Sequence, residues 1–135
     1  MLSSLEGFKS VVLDQLGEGV IIADADGRII SVNRAAEVIH GRSLVGGAPD
    51  SYSDDYQLLT MDDAPHPPDE LPLARAVMRG EDVVDVPWKI RRPDGTVVIA
   101  GGTARPVRDA EGVQIGSVLT LRDETSRVIA EQALL

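Results

Sequence analysis

The chain has 135 residues, 43% hydrophobic and 26% charged, and this composition predicts one globular domain and argues against disorder. Its formal net charge of −9 disfavours nucleic acid and anionic membranes as partners, because their phosphates would be repelled over most of the surface. The absence of cysteine excludes disulfides, thiolate metal sites and cysteine nucleophiles. Since there is no signal peptide and no apolar run long enough to span a bilayer, we expect a cytoplasmic location.

The first predicted element is an amphipathic helix over residues 2–16, ended by Gly17 and Gly19. Its apolar side chains follow each other at steps of three and four residues, and they are our candidates for a dimer interface. They are Leu5, Phe8, Val12 and Leu16. We assign residues 1–17 to this helix, 18–125 to a folded core and 126–135 to the start of a C-terminal helix.

Three segments, residues 19–33, 83–104 and 104–122, share the order apolar strand, aspartate and glycine turn, apolar strand. Glycine supplies the positive φ of a tight turn and aspartate bonds to the backbone beyond it, so the pattern predicts five antiparallel strands. The strand that begins the second segment alternates, with Val84, Val86, Trp88 and Ile90 on its apolar face. It also contains Pro87, which cannot donate to a ladder and therefore predicts a sheet edge.

The region between the first two hairpins has helical signals. Asn33 is placed to cap a short helix that runs through Ile39 and closes at Gly41. A polar loop over residues 42–68, which contains both tyrosines, is long enough to be functional or partly helical. A second helix is predicted from Asp69 to Arg79, with Gly80 as its stop.

Four local sequences follow each other along the chain: GVIIADADGRIISVNRAAE (residues 19–37), PPDELPLARAVMRGE (67–81), IRRPDGT (90–96) and PVRDAEGVQIGSVLTLRDET (106–125). In this order they resemble the PAS sensor domain family of bacterial-type signalling proteins. The resemblance implies an α+β fold, in which a five-stranded antiparallel sheet of order 2-1-5-4-3 has short helices on one face. Asp123 and Thr125 match the motif that in this family links the last strand to the exit helix; the simpler interpretation is a helix N-cap, and the two are compatible.

The resemblance implies a sensory and dimerising input domain, a homodimer joined through its C-terminal helix to an effector such as a histidine kinase, cyclase, phosphatase or transcription regulator, as in two-component systems. The candidate pocket lies between the sheet and the short helices. Its candidate residues are Ile22, Asn33, Ile39, Val77, Trp88 and Ile90. Gly101 and Gly102 predict a close approach on the sheet, for which the N-terminal helix is the candidate.

We expect no catalytic residues and no metal site, because no nucleophilic arrangement, phosphate loop or metal-ligand spacing is present. The occupant of the pocket is expected to be an unknown small molecule or none. Flavin is disfavoured by the lack of cysteine and the few aromatic rings. Haem is disfavoured because the resemblance implies an axial ligand on the second helix, whereas His66 lies just before that helix. The alternatives are a ligand-free protein interaction module and a small enzyme of the cone-like α+β type, which would need a buried acid or base in an open cavity.

Overall fold

The computed structural model describes the backbone of residues 4–134 and the side chains of residues 7–9 and 11–134. The helices are α1 (Ser4–Gln15), α2 (Arg34–His40), α3 (Tyr52–Asp55), α4 (Pro72–Arg79) and α5 (Thr125–Ala133), with a 3-10 turn at Pro68–Glu70. The strands are β1 (Gly19–Asp24), β2 (Ile29–Val32), β3 (Leu58–Leu59), β4 (Val83–Arg91), β5 (Val97–Arg108) and β6 (Gln114–Asp123). They form an antiparallel sheet of order β2-β1-β6-β5-β4-β3, and the predicted α+β class is confirmed.

The sheet has six strands, where the sequence predicted five. The additional strand is the two-residue β3, whose residues Leu58 and Leu59 pair with Ile90 and Lys89 of β4. The prediction that the strand containing Pro87 forms the sheet edge is therefore wrong for its C-terminal part. Pro87 itself lies outside the stretch that β3 covers, where a missing N–H is tolerated.

The predicted turns between strands are confirmed. Asp24 Oδ1 accepts hydrogen bonds of 3.0 Å from the backbone N–H groups two and four residues further on. Asp109 repeats the arrangement with bonds of 2.9 and 3.0 Å. Gly27 and Gly112 follow with φ angles of 88° and 84°, which an L side chain rarely adopts.

A bulge in β4 changes the predicted alternation. Trp88 and Ile90 are buried and Val86 packs against the core, as the pattern predicts, but Val84 is 51% exposed. The register shifts between Val83 and Val86, and Asp85 has a φ of 51°. Because a bulge inserts an unpaired residue, the side chains before it change faces relative to those after it.

The ends of the short helices are determined by individual capping residues. Asn33 Oδ1 accepts from Ala36 N at 3.1 Å at the start of α2, and Gly41 ends the helix with a φ of 69°, both as predicted. The predicted start of the second helix at Asp69 is wrong: residues 68–70 form the 3-10 turn and α4 begins at Pro72. Proline favours a helix start because its missing N–H has no partner there.

The core lies between the inner face of the sheet and α2, α3 and α4. It includes Ile21, Ala23, Trp88, Ile90, Val98, Ala100, Leu119 and Leu121 from the strands and Ala36, Ile39, Tyr52, Leu73 and Ala76 from the helices. In the part of the chain that the structure describes, no helix combines the length and the apolar character needed to cross a membrane.

Candidate functional site

A cavity of about 30 Å³ lies inside the domain, between the sheet and the helices. All of its lining residues are buried. They are Ile21, Ile29, His40, Leu44, Tyr52, Tyr56, Leu58, Leu71, Pro72, Leu73, Trp88 and Leu119. A cavity of this volume is large enough for one or two water molecules. The cavity therefore has a mainly apolar wall with a few polar groups, and it has room for one or two heavy atoms.

The two tyrosines in this wall are held by backbone carbonyls. The Tyr52 hydroxyl donates to the Gly27 carbonyl, in the turn after β1, and the Tyr56 hydroxyl donates to the Leu44 carbonyl. Their rings stack with centroids 6.3 Å apart. Burial raises the pKa of both hydroxyls, so both remain protonated donors at neutral pH.

His40 lies at the C-terminal end of α2 and is 3% exposed. Its Nδ1 is 2.8 Å from the Ala36 carbonyl oxygen, and since a carbonyl only accepts, Nδ1 carries the proton. Burial first, and then the charges of Arg42 and Arg92, lower the pKa of His40 to about 4, against the opposing effect of the Ala36 hydrogen bond. The ring is therefore neutral at physiological pH and presents Nε2 as a hydrogen-bond acceptor.

Trp88 is 2% exposed and faces the cavity from β4. Its indole packs over Gly102 of β5, where an added Cβ would lie 2.8 Å from Trp88 Cη2. Its Nε1 is buried and has no hydrogen-bond partner among the described residues. Buried indole N–H groups usually find an acceptor, so this donor is an unusual feature of the site.

The candidate pocket residues are distributed over several environments. Trp88 lines the cavity, whereas Ile39 and Ile90 are buried in the surrounding core. Val77 packs against that core from α4. Asn33 does not line the cavity, because its side chain accepts from Val20 N at 2.8 Å and donates to the Glu18 carbonyl at 2.9 Å.

The assignment of Ile22 to the pocket is corrected. Its side chain is 37% exposed on the outer face of the sheet, and its neighbour Ile21, 3% exposed, lines the cavity instead. Successive side chains on a strand point to opposite faces, so these two cannot both reach the interior.

Sequence reasoning also missed the wall formed by His40, Tyr52 and Tyr56. The signal that was available is the occurrence of both tyrosines in an otherwise polar loop, since a large ring in such a segment is usually buried where its hydroxyl finds a partner.

Asp123 and Thr125 join the last strand to α5. Asp123 Oδ1 accepts from Thr125 N at 3.0 Å, a local bond just before the helix; the N-cap residue of α5 is Glu124, which has no side-chain cap bond, so the predicted N-cap at Asp123 or Thr125 is wrong. Thr125 Oγ1 accepts from Ile99 N at 2.9 Å, and Glu124 N donates to the Ile99 carbonyl at 2.8 Å. The first turn of α5 is therefore fixed to β5 by side chain and backbone together.

Arg92 lies between the cavity wall and this junction. Its Nε donates to the Ile39 carbonyl at 3.0 Å, at the end of α2, and a second guanidinium nitrogen is 4.0 Å from Asp123 Oδ2. Gly41 permits the approach, because an added Cβ would lie 3.2 Å from Arg92 Cγ. Arg92 thus connects the helix that carries His40 to the start of α5, a role that no sequence pattern indicated.

The N-terminal helix leaves most of its apolar stripe uncovered. Phe8, Val12 and Leu16 are 68%, 37% and 62% exposed, and the Leu5 side chain lies outside the described side chains. The main contacts of α1 are with α2 and β1, and Asp14 Oδ1 accepts from Ala35 N at 3.0 Å. The expectation that α1 covers Gly101 and Gly102 is wrong: the groups nearest to them belong to Glu124, Trp88 and β6.

The family model of the PAS domain matches residues 17–126. This range contains the sheet, the cavity and the start of α5. The chain belongs to the PAS domain family. PAS domains are sensory and signalling modules and are generally not catalytic, and the chain finds no significant match among curated proteins.

Solved structures show the same fold at low identity. The PAS domain of a Colwellia psychrerythraea protein is 18% identical with a TM-score of 0.64, over 92% of this chain and 100% of that one. An RNA-binding light-oxygen-voltage receptor is 21% identical with a TM-score of 0.65, and the match spans 96% of this chain but 36% of the receptor. VqmA of Vibrio cholerae, described as a dimeric LuxR-type receptor, is 17% identical with a TM-score of 0.61, over 93% of this chain and 53% of that one.

The cavity of this PAS domain is smaller than a flavin or a haem. The cavity of about 30 Å³ is of water size, and the rings of Trp88, Tyr52 and Tyr56 fill the space around it. A cysteinyl photoadduct is excluded because the sequence has no cysteine. Of the two histidines, His40 lines the cavity, while His66 Nδ1 lies 3.0 Å from the Pro67 carbonyl at the partly exposed end of the loop.

Proposed function

We propose that this PAS domain is the input part of a homodimeric signalling protein, in which an event at the cavity or at a protein partner shifts α1 and α5 and so changes the activity of a C-terminal effector. The effector classes are those of the sequence interpretation: histidine kinase, cyclase, phosphatase or transcription regulator. The domain division at residues 17/18 and 125/126 is part of the proposal. The observation that carries it is the connection from the cavity wall through Arg92 to the start of α5.

The connection is short. His40 lines the cavity, and the carbonyl of the preceding residue, Ile39, accepts from Arg92. Arg92 in turn faces Asp123, whose other carboxylate oxygen accepts from Thr125 N. A displacement at the end of α2 therefore changes the geometry of the first turn of α5. Coupling free energies between sites are typically about 1 to 3 kcal/mol, which one charged hydrogen bond of this kind can supply.

Replacing Arg92 by alanine is expected to release α5 from α2. Loss of the Ile39 bond, worth about 1.5 kcal/mol for a charged donor, should raise amide hydrogen exchange at Glu124 and Val128 about tenfold. Arg91→Ala is the matched control, because Arg91 is the neighbouring residue and its side chain is exposed. Equal exchange rates in the two variants would contradict the proposed route.

The dimer part of the proposal uses the exposed stripe of α1. Phe8→Asp places a charge at its most exposed described member and should convert dimer to monomer in light scattering. Lys9→Gln changes the net charge by the same amount at the adjacent position and should leave the dimer intact. A dimer that persists in Phe8→Asp would place the interface elsewhere.

A ligand-free interaction module is the second candidate, and the small volume of the cavity favours it. The small-enzyme alternative would need His40 or the tyrosines in an open cavity, and they line a buried one. Compounds that raise the melting temperature with dependence on their concentration would favour the ligand-sensing version.

A further inference from the structure

The segment between α2 and β3, residues 42–56, forms one wall of the cavity, and we call it the flap. Leu44, Tyr52 and Tyr56 of the flap line the cavity and are 1%, 2% and 7% exposed. Its regular structure within the described part of the chain is the four-residue helix α3 alone. The other walls come from the sheet, the end of α2 and the start of α4. The flap is therefore the part of the wall with the least regular backbone hydrogen bonding.

Hydrogen bonds inside the flap hold its two ends together. Arg42 Nη1 donates to the Asp55 carbonyl at 3.0 Å, which joins the first residue of the flap to α3. The Tyr56 hydroxyl donates to the Leu44 carbonyl and makes a second connection of the same kind. Because these bonds lie within the segment, they persist when the segment moves. We therefore expect the flap to move as one body.

The flap is joined to the β1–β2 hairpin by a small set of bonds. The Tyr52 hydroxyl donates to the Gly27 carbonyl, in the turn of that hairpin. Ile29 N donates to the Gly47 carbonyl and the Ile29 carbonyl accepts from Gly46 N, both at 2.9 Å. Among the described residues, Tyr52 supplies the only side-chain hydrogen bond on this side. Its hydroxyl is thus the one side-chain group that fastens the flap to the hairpin.

The opposite end of the flap is fastened to the sheet. Ser53 is 5% exposed, and its hydroxyl donates to the His66 carbonyl at 2.6 Å. The carbonyl of Gln57, just after the flap, accepts from Arg91 N of β4 at 2.9 Å. Gln57 has a φ of 52°, a left-handed conformation that turns the chain between the flap and β3. We expect this end to act as the pivot and the hairpin side to open.

The flap is also the wall that costs least to move. All lining residues of the cavity are buried, so a molecule reaches it only when a wall opens. Moving the sheet would break its ladders, and moving α4 would break the Gln114 bonds to the carbonyls of its last turn and the ion pairs of Arg75 and Arg79. Opening the flap breaks the Tyr52 bond and the two bonds of Ile29. Local openings occur where the fewest interactions are lost.

We propose that the flap is the gate of the cavity, and that the Tyr52 hydroxyl is the latch that holds it closed against the Gly27 carbonyl. The gate turns about Gln57, away from the β1–β2 hairpin, and connects the cavity with solvent. The inference rests on the proposed function, because the gate gives the small molecule of the ligand-sensing version its route to the cavity.

In the unmodified domain the gate predicts a local opening. Amide hydrogen exchange at Ile29 and Gly46, whose N–H groups bond across the gate, should be faster than in the β5–β6 ladder. It should also depend less on urea, because opening the gate exposes less surface than unfolding. Equal rates and an equal urea dependence in both places would show that the flap opens only when the whole domain unfolds, and would overturn the proposal.

Tyr52→Phe removes the latch and keeps the ring in the wall. We expect exchange at Ile29 and Gly46 to rise about tenfold, the effect of one lost hydroxyl bond. Acrylamide, which is larger than the cavity, should quench the sole tryptophan, Trp88, more strongly. Tyr56→Phe is the matched control, because its hydroxyl bond lies inside the flap and survives opening. Equal rises in the two variants would overturn the role of the latch.

Failure of the gate and failure of the proposed function give different results. Unchanged exchange and quenching in Tyr52→Phe, together with faster exchange at the start of α5 in Arg92→Ala, would reject the gate and keep the proposed function. The opposite pair of results would keep the gate and reject the route through Arg92.

Discussion

Replacing Gly102 by alanine is expected to lower the free energy of unfolding by about 3 kcal/mol, the upper end of typical overpacking effects. The new Cβ would lie 2.6 Å from the Thr120 carbonyl oxygen and 2.8 Å from Trp88 Cη2. The carbonyl cannot retreat easily, because Gly102 pairs with Leu121 in the β5–β6 ladder. The indole would be pushed toward the cavity instead, so urea unfolding should show the loss and the Trp88 fluorescence should change with it.

Gly101→Ala provides the matched control one residue away. Its Cβ would face the outer side of the sheet, 3.0 Å from Glu124 Cγ, and that flexible side chain can rotate away. We expect a change below about 1 kcal/mol for a surface position of this kind. Equal losses in the two variants would show that strand propensity, and not the packing of Trp88 against the backbone, decides the cost.

Much of the fold was predictable because its signals are local. The turn at Asp24 and the cap at Asn33 depend on residues two to four positions apart, and both were predicted from residue types alone. Gly41 and Gly80 ended their helices with positive φ angles for the same reason. Local hydrogen-bonding chemistry of this kind does not require knowledge of the tertiary contacts.

The face of β1 was not predictable from its own sequence. Val20, Ile21 and Ile22 are all apolar, so periodicity gives no preference for either face, and only pairing with β6 decides that Ile21 lies inside. The bulge at Asp85 is the opposite case. The alternation of β4 gave a clear prediction that Val84 faces inward, and the inserted residue made that prediction wrong.

The candidate site was the least predictable part. His40, Tyr52 and Trp88 come from α2, α3 and β4, and they meet only when those elements pack together. Arg92 reaches the Ile39 carbonyl across 53 positions of sequence. Neither relation has a fixed spacing, so the sequence could identify the family pattern without locating the cavity wall or its link to α5.

Protonation of His40 is expected to lower the free energy of unfolding by about 3 kcal/mol between about pH 6.5 and pH 4. The reason is that the pKa of His40 is about 4 in the folded domain and 6.5 in the unfolded chain. Between these pH values His40 is protonated in the unfolded chain but not in the folded domain, where it is buried, so acid favours unfolding. The contribution is fully present above about pH 6.5 and is lost as the pH falls toward 4. Urea unfolding at several pH values measures it.

His40→Asn isolates the contribution of His40 to the pH dependence of stability. The asparagine amide nitrogen can replace Nδ1 in the bond to the Ala36 carbonyl, but the amide does not titrate. The variant is expected to be less stable at neutral pH and to lose about 3 kcal/mol less than the unmodified domain on acidification. His66→Gln, at the other histidine, should retain the full acid dependence, because that side chain lies outside the cavity wall. Parallel pH profiles for His40→Asn and the unmodified domain would mean that folding does not lower the pKa of His40.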